Sequence, residues 1–124
     1  MNRASISRHQ PSDEHIETAL RHSRKAIQQG QRIQQVGQQL LDEDRIDSDL
    51  GQEIIDHGSR IEQCARESLH WATTAQNADE PEQSSQAMEQ ATEAHIRAIK
   101  EHTAASKKFT QVFKSYLEQF PLEN

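Results

Sequence analysis

Four glycines constrain this chain more than any other feature: Gly30, Gly37, Gly51 and Gly58, all that it contains, fall in two copies of one pattern. The segments GQRIQQVGQQL at 30–40 and GQEIIDHGSRI at 51–61 both read G-x-x-I-x-x-x-G-x-x-aliphatic. Glycine inside a helix costs about 1 kcal/mol relative to alanine, so glycines at heptad spacing need a structural return, and close approach of a neighbouring helix supplies one. If the two copies fold back on each other around Arg45 and Ile46, residues whose numbers sum to about 91 stand level across the hairpin. Gly30 then faces Ile61, Gly37 faces Ile54, Gly51 faces Leu40 and Gly58 faces Ile33, a small residue against a large one in every layer. One uninterrupted helix would also keep the copies in phase, because they lie three heptads apart. It would place Asp44 and Asp47 in the apolar seam, where an unpaired carboxylate is costly, so a turn is expected at 42–49.

Helical periodicity extends along the rest of the chain. A first helix over 13–41 is predicted from Ile16, Ala19 or Leu20, Ser23, Ala26 or Ile27, Gly30, Ile33, Gly37 and Leu40, capped by Ser12 or Asp13 with acids in its first turn. A second, over 49–78, carries Leu50, Ile54, Gly58 or His57, Ile61, Cys64 or Ala65, Ser68 or Leu69, and Ala72. Asn77, Asp79 and Pro81 break it, and a third helix follows over 82–120 with Pro81 tolerated at its start. Its seam is expected to run through Met88, Ala91, His95, Ala98, His102, Ala105, Phe109, Val112 and Tyr116. The predicted fold is all-α: three long antiparallel helices in an up-down-up, coiled-coil-like bundle, enlarged by dimerisation. It forms one domain over 12–121 behind a flexible arm at 1–11. The chain is lean in apolar residues, 32%, and rich in charge, 27%, a balance that suits narrow seams between long helices better than a thick core. Disorder, the competing reading of so polar a chain, fits poorly with seams this regular.

A net charge of −6 over 124 residues argues against nucleic-acid binding. The short basic runs at Arg21–Lys25 and at Lys107 and Lys108 read as solvated helix faces. No stretch is apolar enough for a signal or a membrane span, and a single cysteine, Cys64, excludes an intramolecular disulfide and multi-thiolate metal sites. A cytoplasmic protein is expected, with Cys64 a small buried thiol.

Chemistry, if any, would rest on the seven histidines. His15 and His22 lie one heptad apart on the first helix, and His95 and His102 on the third, with His57 expected level with His102. A metal or cofactor sensor built on His57, His95 and His102 is therefore one reading. Glu67 and His70 have the Glu-x-x-His spacing of di-metal bundles, but the second copy such sites need is missing. No phosphate loop, dinucleotide fingerprint or nucleophile elbow occurs, so neither enzymatic activity nor a resident cofactor is expected. Trp71 is read as an anchor closing one end of the bundle. The preferred reading is a non-enzymatic helical interaction protein: an adaptor, chaperone-like or regulatory subunit, homodimeric and with a further protein partner. Its expected interface is the aromatic end of the third helix, Phe113, Tyr116, Leu117 and Phe120, which outruns the other two.

Overall fold

The computed structural model describes residues 11–119 and contains three α-helices: α1 (Asp13–Asp42), α2 (Ser48–Asn77) and α3 (Pro81–Gln119). There is no strand among the described residues. Each start and stop has a local cause. Ser12 caps α1 by accepting from the His15 amide at 3.1 Å, ahead of Asp13 and Glu14. α1 ends in a Schellman turn, in which the Arg45 amide donates to the Leu40 carbonyl and the Asp44 amide to that of Leu41. Asp44 occupies the left-handed position of that turn at φ 53°. Pro81 opens α3, and the buried Ser84 hydroxyl donates to the Ala75 carbonyl near the end of α2 at 3.0 Å.

The hairpin register holds, but three of its four glycine layers fill differently from the expectation. A methyl placed on Gly37 would meet the Ile54 and Ile55 side chains, the knob-on-glycine contact expected there. Gly30 and Gly58 instead face each other's backbone: a methyl on Gly30 would lie 2.8 Å from the Gly58 oxygen, and one on Gly58 2.9 Å from the Gly30 oxygen. Ile61 and Ile33 therefore do not fill these layers, because two facing glycines let the helix backbones come closer than a side chain between them would permit. Gly51 is covered by Leu41 and Ile46, not Leu40. Beside the facing glycines, Glu62 clips the helices together, accepting from Gln34 at 2.8 Å and from Arg66 at 2.7 Å.

α3 packs on the other side of α2 through small residues. Ser84, Ala87, Ala91, Ala94, Ala98 and Ala105 are buried, whereas His95 is half-buried and His102 exposed. The expected seam is thus corrected: its alanines pack, and its histidines stand at the rim. On this rotation Glu101 points to α2 and accepts from His57 Nδ1 at 2.7 Å and Arg60 Nε at 3.0 Å. Arg97 with Glu67 at 2.8 Å and Lys108 with Glu53 at 2.6 Å extend this line of ion pairs.

Both outer helices pack along α2 and scarcely touch each other. They converge at the α2–α3 turn, where Ile16, Leu20, Ala72, Ala75, Ala87 and Ala91 form the core cluster and Trp71 packs against it as the expected anchor. A hydrogen-bond chain crosses all three helices nearby: Ser23 Oγ reaches Ser68 Oγ at 3.0 Å, and Ser68 donates to the Ala91 carbonyl at 3.0 Å. Both serines are buried and satisfied.

Candidate functional site

Because α1 and α3 flank α2 without closing on each other, one face of the bundle is a groove, floored by α2 and walled by the other two helices. Near the core cluster it deepens into a hollow of about 350 Å³ lined by His15, Thr18, His22, Ser68, Met88 and His95. Further along lies a second hollow of about 150 Å³, where Ile61 forms the floor and Gln29, Ile99 and His102 form the walls. Four of the seven histidines thus line one groove. His22 and His95 stack across it, their ring centroids 5.9 Å apart and their planes 23° from parallel. Burial, and then the facing His22, hold the His95 imidazole below its usual protonation range.

The groove breaks up the proposed metal set. His95 and His102 line it, whereas His57 lies between α2 and α3, engaged by Glu101 and Arg60. Burial alone would raise the Glu101 carboxyl, but hydrogen bonds from His57 and Arg60 outweigh it and leave the carboxyl below the usual range. Among the described residues no three His, Cys, Asp or Glu side chains are grouped to hold a metal ion. His70 is exposed with its ring edge against Trp71, apart from the groove, and Cys64 is half-buried.

Of the expected aromatic interface, Phe113 is 64% exposed. Phe120 lies outside the described residues, as do the side chains of Tyr116 and Leu117. The Lys108–Glu53 pair puts Phe113 level with Ser48, the first residue of α2, so Lys114 to Gln119 run past the α1–α2 turn by about 9 Å. Ile96 and Ile99 are 46% and 51% exposed on α3. Sequence reasoning missed this pair, although their isolation among polar neighbours outside the expected seam was a usable signal. No described helix is long and apolar enough to cross a membrane. In comparisons with known proteins, no family model, no curated protein and no solved structure matches this chain.

Proposed function

We propose that this chain is a non-enzymatic helical interaction protein that works as a homodimer. One observation carries the reading: α3 presents Ile96, Ile99 and Phe113 at 46%, 51% and 64% exposure, and among the described residues no other helix covers them. Large aliphatic and aromatic side chains left in water on one helix mark a surface whose burial is completed by association. A second copy is the partner that needs nothing beyond the chain itself, and closed two-fold pairs are the commonest assembly. Sedimentation equilibrium of the untagged protein should show a dimer, weakened at least tenfold by Phe113→Asp or Ile99→Asp while far-ultraviolet circular dichroism stays helical; each tenfold corresponds to about 1.4 kcal/mol. A chain that is monomeric at all accessible concentrations, or a dimer that both substitutions leave untouched, refutes the assignment.

A further inference from the structure

The His22–His95 stack fixes how α1 and α3 stand against each other across the groove. One heptad toward the core cluster His15 is level with Met88, and one heptad the other way Gln29 is level with His102; the two hollows hold these same pairs. Among the described residues, His22 and His95 are thus the one level at which the two walls set imidazole against imidazole. No lysine, arginine, aspartate or glutamate lines either hollow, so what this level offers a ligand is nitrogen lone pairs. The hydroxyls nearby are already engaged: Ser68 Oγ donates to the Ala91 carbonyl and Thr92 Oγ1 to that of Met88.

We propose that His22 and His95 together bind one divalent transition-metal ion, Cu²⁺ above all, which ties α1 to α3 across the groove. Both ligands come from one chain, so the site stands independently of the homodimer reading. Spacing fits a shared ion. Each nitrogen stands roughly 2 Å from a bound ion and roughly 1 Å from its own ring centre, so two imidazoles sharing an ion have centroids roughly 4.5 Å apart at a right angle and roughly 6 Å apart when opposed. The observed 5.9 Å falls within that range. The ring planes lie 23° from parallel, so the rings must tip for their nitrogens to converge; His22 is exposed, and exposed side chains change rotamer within nanoseconds. His95 is half-buried, and burial and then the facing His22 favour its neutral ring, the form whose lone pair a metal takes.

The class of ion follows from the donors. Two imidazoles without a carboxylate disfavour Mg²⁺ and Ca²⁺, which take oxygen ligands, and among the ions that imidazole suits Cu²⁺ ranks highest. The net charge of −6 draws a cation toward the chain at long range. With two protein ligands the remaining positions go to water, which makes this an open, exchangeable site and not a closed structural one. α1 and α3 pack on α2 and scarcely touch each other, so an ion held by both adds a link that exists only in the folded chain. Binding therefore stabilises the fold by mass action.

Titration of the full untagged chain with Cu²⁺ alone at about pH 7.5, above the ordinary imidazole midpoint, tests this by calorimetry, electron paramagnetic resonance and thermal denaturation. The expected results are one ion per chain and a copper spectrum split by two nitrogen ligands. Tm should rise by roughly 10 °C at a hundred times the measured Kd, and Mg²⁺ should do nothing. His22→Gln and His95→Gln should each weaken binding about a hundredfold, the loss of the second tethered ligand, and abolish the rise in Tm. His57→Gln and His102→Gln should leave both unchanged. Because His22 is exposed, its variant keeps the fold, as far-ultraviolet circular dichroism will show. Copper affinity that survives His22→Gln or His95→Gln overturns the site, as does binding without a rise in Tm. One ion per two chains also refutes it, since the ion would then join copies and not helices. A chain that sediments as a monomer removes the homodimer and leaves the metal site standing.

Discussion

Replacing Gly58 with alanine tests the close approach of α1 and α2, because helix propensity and packing push in opposite directions at that position. In an exposed helix interior the change stabilises by about 1 kcal/mol, since glycine has more backbone freedom to lose. Here the new methyl would lie 2.9 Å from both the Gln34 amide nitrogen and the Gly30 carbonyl oxygen. The optimum for such contacts is roughly 3.5 Å or more. Both neighbours are backbone, so neither can rotate away, and the helices must part along the seam. Overpacking of this kind costs about 1–3 kcal/mol, which leaves Gly58→Ala about 1 kcal/mol less stable than wild type and lowers Tm by roughly 4 °C. Gly37→Ala tests the same seam against side chains: its methyl would lie 2.9 and 3.0 Å from γ-carbons of Ile55 and Ile54, β-branched residues with little rotamer freedom, so this variant should lose stability too. Thermal and urea denaturation followed by circular dichroism measure both. If Gly58→Ala proves as stable as wild type, or more so, the backbone contact between Gly30 and Gly58 is not a feature of the folded protein.

Asp44→Gly should stabilise the protein by about 0.5–1 kcal/mol in the same assay, because a side chain at φ 53° is strained where glycine is not; a loss of stability would show that the aspartate earns its place by a bond of its own. Ser68→Ala removes the middle of the three-helix chain and should cost about 1 kcal/mol, while the Ser23→Ala/Ser68→Ala pair should cost less than the two single changes added together; simple additivity would show that the hydroxyls act independently. Two acid losses of stability should separate by pH. The His95 imidazole titrates lower in the folded chain than in the unfolded one, so its contribution falls as pH drops below about 6.5, and His95→Gln removes that loss. The Glu101 carboxyl is likewise depressed, so its contribution is full above the ordinary carboxylate range and lost as pH falls through the lower folded value; Glu101→Gln should flatten that acid limb alone, and an unchanged profile would refute the ion pair's role.

The helix ends were legible because their causes are local. Ser12, the acids after Leu41 and the Asn77–Pro81 stretch each act within a few residues, and the expected 13–41, 49–78 and 82–120 become Asp13–Asp42, Ser48–Asn77 and Pro81–Gln119. The hairpin register was legible too, since Asp44 and Asp47 exclude the continuous helix that would also keep the glycine copies in phase, although of the expected layers only Gly37 against Ile54 fills as read. The rotation of α3 was not. Ala91, Ala98 and Ala105 belong equally to a stripe through His95 and His102 and to one through Ala87, Ala94 and Glu101. Periodicity makes the first look cleaner, because it avoids a carboxylate. The second also brings Glu101 to His57 and Arg60 of α2, a contact 44 and 41 residues distant in sequence that no local pattern reports. The four-histidine groove follows from that single rotation, and it was unreadable for the same reason.

The two seams of α2 differ in kind, and the difference bears on which helix can move. Against α1, the Gly30 and Gly58 backbones touch and Ile54, wholly buried, packs against Gly37, so any displacement of α1 opens a tightly filled seam. Against α3, the side contributed by α3 is alanine and serine, each burying far less apolar surface than a leucine or isoleucine would. Glu101, Arg97 and Lys108 reinforce it at partly exposed positions, where ion pairs add little and yield to water readily. A charge placed on both rings of the His22–His95 stack pushes α1 and α3 apart with equal force on each. Were the two walls of the groove forced apart, the glycine seam would hold longer than the alanine seam, so α3 is the wall expected to shift. Ile96, Ile99 and Phe113 all sit on that wall. The helix that carries the exposed apolar side chains is therefore also the one whose position the histidines are best placed to alter.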